Sequence, residues 1–350
     1  MRKYYTRACN FYHGELAKRL IKNKKALSLN GNKYIAFDKI ELLSRENKNK
    51  FLNLEQIKKQ SHEIKKIISR DLKVITSKKK NFLKNINFLQ PTIMGVLNLT
   101  PDSFSDGGKF NNKTSSFAHI KKMIKSGAKI IDVGGESTRP GSKNVNKDIE
   151  WSRVENVIKS FKKKYIDICL SFDTRKSELM VKGIKNGVDL INDVSGFKYD
   201  KNSLNVVKSL NASKVLHHMR GEPNTMQINP KYSNVLLDIY DFFEKEIAKI
   251  NDRKIIIDPG IGFGKTLKHN LTLLSKISLF HSIGLPILVG TSRKRFIGQI
   301  SEDYDSEERI GGTLASVIYL LSQGVQIFRV HNVREIKQGI LVFEKLIYEK

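Results

Sequence analysis

The chain has 350 residues, 39% hydrophobic and 28% charged, enough for one large core or a core with a small annex. Its two cysteines, Cys9 and Cys169, lie in no CxxC or histidine-rich setting, which argues against a disulfide framework or a zinc site and for a reducing, cytoplasmic compartment. The net charge of +28 is densest in residues 1–90, where 23 Lys and Arg face 7 Asp and Glu. No nucleic-acid docking motif, membrane-length apolar run or secretion-signal core accompanies that charge, so it reads as solvated surface, with neither nucleic acid nor membrane as partner.

Residues 1–88 are predicted to form a small α+β extension. Residues 14–25 suit a short helix and 33–43 (KYIAFDKIELL) a strand or strand pair. Leu54, Ile57, Ile64, Ile67 and Ile68 share one helical stripe, with lysines on the wet side. Residues 71–75 are expected to be another strand, and 77–87, with three consecutive lysines, a linker.

From residue 89 onward a strand and a helix alternate eight times. Strands are predicted at 92–97, 129–133, 167–172, 188–191, 213–217, 254–257, 286–290 and 326–330. Helices follow them at 114–126, 149–163, 176–186, 201–209, 231–249, 268–281, 306–323 and 333–348. Eight such units in about 260 residues are the arithmetic of an α/β fold, a (β/α)8 TIM barrel. An open doubly wound sheet would be expected to carry GxGxxG after its first strand, and that fingerprint is absent.

Each predicted strand ends in polar or glycine-rich residues. Asn98 and TPDSFSDGG follow the first, Asp132 and GGESTRPGS the second, and Asp173 the third. Asn192 and Asp193 follow the fourth, His217, His218 and MRGEPNTMQ the fifth, Asp258 and PGIGFGK the sixth. GTSRKRFIG closes the seventh, and Arg329 with His331 the eighth. A turn former or a cap explains any one of these, but not eight at the strand ends that a barrel brings to one mouth.

At the deepest positions, Asp173, Asn192 and Asp258 must pair with each other, with Lys294 or Arg329, or with a ligand rich in N–H groups. A flat heterocycle with an amidine-like edge suits such a carboxylate. Asn98, Ser137, Thr138, Arg139, Arg329 and His331 form a donor set fit for a diphosphate. GxGK at 262–265 lacks P-loop spacing, no Ser-His-Asp or Cys-His set stands out, and Cys169 reads as a core thiol.

MGVLNLTPDSFSDGG, IIDVGGESTRPGS, SFDTRKS, LINDVSG, DPGIGFGK, GTSRKRFIG and RVHNV, in this order, resemble the dihydropteroate synthases over about residues 90–348. The resemblance implies a homodimeric (β/α)8 barrel. It would condense a dihydropterin-methyl diphosphate with 4-aminobenzoate to give 7,8-dihydropteroate and diphosphate, with Mg2+ bound at Asn98. It also implies a pterin slot of Asp173, Asn192, Asp258 and Lys294, with Asp132, His217 and Phe263 in its wall and Arg329 over the ring. Asn98, Thr138, Arg329 and His331 would hold the diphosphate. A first loop with Asp102, Phe104 and Asp106 and a second with Ser137, Thr138, Arg139 and Pro140 would close the 4-aminobenzoate pocket, the first ordering on substrate. Asp106, Asn98, Arg139 and Lys294 are the implied catalytic groups, Asp106 near the cationic carbon.

Three positions depart from the family pattern. His217 stands where Met is usual, Arg295 where a Ser contacts the aminobenzoate carboxylate, and Asn332 where Asp is commoner. A pteridine-dependent methyltransferase barrel is the nearest rival, but it has no need of SFSDGG and ESTRPG together, nor of the Arg329 and His331 pair. A barrel reduced to scaffolding would be expected to have lost Asn98, Asp106 or Arg139, and all three are present.

Overall fold

The computed structural model describes residues 2–100, 113–138, 141–142, 144–302 and 305–348. Asp102, Phe104, Asp106, Arg139 and Pro140 lie outside the described residues.

The N-terminal sheet is built on one long strand. β1 (Tyr5–His13) leads into α1 (Gly14–Lys22), then β2 (Leu27–Leu29), β3 (Asn32–Leu43) and β4 (Lys50–Asn53), all pairing antiparallel with β3. The helical stripe is divided between α2 (Leu54–Lys58) and α3 (His62–Thr76), because Asn53 and Ser61 each cap a new helix start. The expectation of a strand at 71–75 is corrected. Ile68, Asp71 and Ile75 are buried at three- and four-residue spacing, so α3 continues through them.

The barrel strands follow as β5 (Thr92–Asn98), β6 (Ile130–Gly134), β7 (Cys169–Asp173), β8 (Leu190–Asp193), β9 (Ser213–His217), β10 (Ile255–Asp258), β11 (Leu288–Val289) and β12 (Ile327–Val330). All neighbours are parallel, in the order β10-β9-β8-β7-β6-β5-β12-β11. A parallel bridge between Ile257 and Ile287 joins the two ends, giving the predicted TIM barrel. The outer helices are α4 (Lys113–Lys125), α5 (Lys147–Lys164), α6 (Ser177–Lys185), α7 (Ser203–Ser209), α8 (Val235–Ile250) and α9 (Leu267–Ser275), then a 3-10 turn (Ile277–Ile283), α10 (Arg295–Ser301), α11 (Ile310–Ser322) and α12 (Val333–Tyr348). The α10 helix, absent from the sequence reading, follows directly on Lys294.

Strand alternation places the chemistry. Met94, Ile130, Cys169, Leu190, Val215, Ile256, Leu288 and Ile327, one from each strand, form a single apolar cluster. Leu83, Ile86 and Phe88 complete it, so the lysine-rich stretch read as a linker packs against the barrel's apolar layer. Two residues further along the same inward face stand Asp132, Ser171, Asn192, His217, Asp258, Gly290 and Arg329, and two beyond that Asn98 and Asp173 on their strands. The apolar layer is thus the floor beneath a polar one.

The two regions share a core, because Tyr5 and Leu43 belong to the barrel's main apolar cluster. Tyr5 meets Tyr240 edge-on at 5.2 Å and donates its hydroxyl to Asp241 at 2.8 Å.

Candidate active site

A cavity of about 790 Å³ opens at the C-terminal ends of the strands, within the range of small-molecule sites. Its wall includes Asn98, Ser137, Thr138, Asp173, Asn192, His217, Asp258, Phe263, Lys294, Arg295, Arg329 and His331, so the described part of the predicted site converges on one space. Asp132 is the exception. It is fully buried below the cavity and acts on the site through others.

Arg329 organises the floor. Its Nε donates to Asp132 at 2.6 Å and its Nη2 to Asp173 at 2.9 Å, so one guanidinium spans two carboxylates from neighbouring strands. Asn192 Nδ2 donates to the same Asp132 oxygen at 3.1 Å, and the Ser171 hydroxyl donates to the other. Among the described residues, none hydrogen-bonds the buried Oδ1 of Asp173. Burial, reinforced by the neighbouring Asp132 charge and only partly offset by Arg329, raises its pKa to about 8.

On the opposite side, Asp258 accepts the Gly260 N–H at 2.8 Å, and burial raises its pKa against the pull of Lys294. Gly260 has φ +69, and a side chain there would run into the His218 carbonyl, so this tight turn requires glycine. Lys294 donates to the Ile261 carbonyl and lies 4.7 Å from the centre of the Phe263 ring. Burial lowers its pKa to about 8, with Asp258 opposing and Arg329 assisting. The floor therefore holds carboxylates that resist charging beside an amine that readily gives up its proton.

His217 stands edge-on to Phe263 at 4.6 Å, and its Nδ1 donates to the Val194 carbonyl at 2.7 Å. Burial and the Lys294 charge hold its pKa well below the usual value, so the ring is neutral and Nε2 is left as an acceptor. His331 is held by Ser292, whose hydroxyl lies 3.0 Å from Nδ1 and accepts the His331 backbone N–H at 3.2 Å. Asn332 lies outside the cavity wall but accepts at 3.0 Å from Nε of Arg293, which lines it.

The sequence reading missed Glu136, Met226, Gln227, Ser292 and Arg309, all in the wall. Glu136, Gln227 and Ser292 stand inside motifs already singled out, whereas Arg309 precedes α11 with no local signal. Gln227 donates to the Gly262 carbonyl and Tyr232 to that of Gly264 at 2.9 Å, tying the loop after β9 to the loop after β10. Lys265 reinforces that tie, its Nζ donating to the Phe263 carbonyl at 2.9 Å and lying 3.0 Å from His218 Nδ1.

A closed barrel with a deep carboxylate-amide floor and a cationic rim defines a pterin-binding enzyme, and the family profile for pterin binding enzymes matches residues 94–331. The dihydropteroate synthase of Escherichia coli K12 is 39% identical over 271 residues, covering 76% of this chain and 95% of that protein. That of Clostridium beijerinckii is 45% identical over 249 residues, covering 69% and 89%. The solved structure of the Yersinia pestis dihydropteroate synthase with a sulfonamide drug complex aligns with a TM-score of 0.73 at 36% identity, covering 76% of this chain and 99% of that one. The Xanthomonas albilineans enzyme with 4-aminobenzoic acid aligns with a TM-score of 0.69 at 33% identity, covering 75% and 94%. The chain belongs to the dihydropteroate synthase family: it condenses (7,8-dihydropterin-6-yl)methyl diphosphate with 4-aminobenzoate, giving 7,8-dihydropteroate and diphosphate.

Proposed function

We propose that the cavity divides this condensation between a deep, buried floor and a charged rim. The reading is carried by one observation, the Arg329 guanidinium bridging Asp132 and Asp173. On the floor, Asp173, Asn192 and Asp258 read the heterocycle's amino and ring N–H edge, Lys294 its ring acceptor, and Arg329 covers its face. His217, with Phe263 beside it, takes the place of the family's Met as an apolar ring with one acceptor. At the rim, Asn98, Thr138, Arg329 and His331 receive the diphosphate. Arg295, exposed in the first turn of α10, receives the aminobenzoate carboxylate.

The reaction breaks a C–O bond to diphosphate while positive charge grows at the methylene carbon. The rim cations stabilise the leaving group, and the buried floor keeps competing nucleophiles from the cation. Asp106 is assigned to the cationic carbon, and Asp102, Phe104, Arg139 and Pro140 to the second substrate's pocket, from the sequence motifs alone.

Mg2+ is assigned to Asn98. Asn98 lines the cavity, and Gly134 stands between it and Asp173 on the neighbouring strand, leaving no side chain between the amide and the floor. A single neutral oxygen fits an ion that takes its other ligands from diphosphate and water. Bound there, it would neutralise leaving-group charge.

A homodimer is supported by exposed Tyr319 on α11 and Leu341, Val342 and Leu346 on α12, helices that pack together. A cytoplasmic setting is supported by two free buried cysteines. No described helix is long and apolar enough to cross a membrane. The test of the whole reading is incubation with the pterin diphosphate, 4-aminobenzoate and Mg2+. Dihydropteroate and diphosphate should appear in equal amounts, and folded protein that releases neither overturns it.

A further inference from the structure

Arg175 lies two residues beyond Asp173, yet it turns away from the cavity wall and is almost wholly buried, only 2% exposed. Its Nη2 donates to Glu136 Oε2 at 2.9 Å and to Asn144 Oδ1 at 3.1 Å, and its Nε reaches the same glutamate at 3.3 Å. The other Glu136 oxygen accepts the Val145 N–H at 2.8 Å. The guanidinium rests 4.0 Å from the centre of the Tyr199 ring. Glu136 and Val145 are the two ends of one loop, and the Arg175–Glu136 pair joins both to the strand that carries Asp173. Further along this loop, the Gly141 N–H donates to the Pro223 carbonyl at 3.1 Å.

A buried ion pair is a poor device for stability alone, because apolar side chains of the same volume often serve as well or better. Its distinctive property is fixed geometry, and a forked guanidinium that reaches one Glu136 oxygen through two nitrogens and Asn144 through one of them supplies it. Between the anchored ends stand Ser137 and Thr138, both in the cavity wall. Asp173, Asn192, Asp258 and Arg329 of the floor, by contrast, sit on barrel strands.

We propose that Arg175 is a positioning residue for the second substrate, clasping both ends of the 136–145 loop so that Ser137 and Thr138 are held at the rim where 4-aminobenzoate enters. The inference rests on the division into floor and rim given above. A pterin on the floor is insensitive to the clasp. The amine, which must be aimed at the methylene carbon from the rim, is sensitive to it.

The test compares Arg175→Met, Arg175→Lys and Asn144→Ala by steady-state kinetics and calorimetry. Arg175→Met raises the KM for 4-aminobenzoate about tenfold, while the Kd for 6-hydroxymethyl-7,8-dihydropterin without its diphosphate stays within about twofold. Arg175→Lys, which keeps the charge but not the fork, recovers part of the loss. Asn144→Ala, at an exposed position that does not endanger folding, shifts the same KM about threefold. Equal weakening of both ligands by Arg175→Met, or an unchanged KM in Asn144→Ala, overturns the clasp. An unsubstituted enzyme with no 4-aminobenzoate-dependent product would instead remove the floor-and-rim reading, and this inference with it.

Discussion

At the seam between the N-terminal sheet and the barrel, Glu41 accepts from Arg7 and from Lys276, each at 2.7 Å, and from Asn49 at 3.0 Å. At the mouth, Arg329 is shared between Asp132 and Asp173, and the second oxygen of Asp173 has no hydrogen-bond partner among the described residues. Both carboxylates are buried, so the difference is one of stoichiometry: two cations serve one acid at the seam, and one guanidinium serves two acids at the mouth. Burial is the strongest influence on Glu41 and pushes its pKa upward, but Lys276 and Arg7 outweigh it and the net shift is down. For Asp173 burial and the Asp132 charge prevail. The seam is electrostatically complete as folded, whereas the mouth holds unmet demand that a ligand with N–H donors would satisfy.

The largest effect should come from breaking the mouth. Arg329→Met leaves two buried acids without their shared cation and removes a rim charge from the diphosphate. Turnover relative to KM should fall about a thousandfold, roughly 4 kcal/mol of transition-state stabilisation. A loss below tenfold would show that Arg329 serves the fold more than the reaction.

Breaking the seam should do the reverse. Glu41→Gln strands Arg7 and Lys276 and should cost about 3–5 kcal/mol of stability, read from denaturant unfolding. Activity per folded molecule should stay near that of the unsubstituted enzyme, because Glu41 lies outside the cavity wall. Comparable losses of activity and stability would mean that seam and mouth are coupled.

This contrast explains what could be read from the sequence. The barrel was legible because buried parallel strands are short apolar runs, and because position along a strand fixes which side chains face inward. The sequence thus puts Asp173, Asn192 and Asp258 at the deepest mouth positions, although strand alternation sets Asp173 two residues further along than the other two. It could not reveal that Asp132 lies beneath the cavity, since that depends on Arg329 folding down over it. Nor could it reveal Arg309, which reaches the mouth from a segment without strand or motif. The seam was the least legible part. β1 mixes Arg7, Cys9 and Asn10 with Tyr5 and Ala8, and its character becomes clear only against β3 and the 3-10 turn. Residues 71–75 misled because Asp71 looks like a break, whereas Arg2 at 3.0 Å lets its charge stay buried within α3.

The smallest effect separates the two regions most cleanly, because it concerns sign. The pKa of Asp173 is raised in the folded state to about 8, so the folded protein holds a proton that the unfolded chain releases near pH 4. Its stabilising contribution is therefore complete below the unfolded pKa and is lost as pH rises toward about 8. Glu41, shifted down, contributes stability that is present above the ordinary glutamate pKa and is lost as pH falls through its folded value. Asp173→Asn removes the titration while keeping an oxygen and an N–H donor at the floor. In the absence of substrates, the Tm of this variant minus that of the parent should become more positive between pH 5 and pH 8, by about 2–4 °C. For Glu41→Gln the same difference should be most negative at neutral pH and shrink as the solution is made acidic below about pH 4. With pterin diphosphate saturating, the pH trend of Asp173→Asn should flatten, because the bound heterocycle's N–H groups supply the partner that Asp173 lacks. A trend that survives saturation would place the ligand's donors elsewhere, on Asp258 alone.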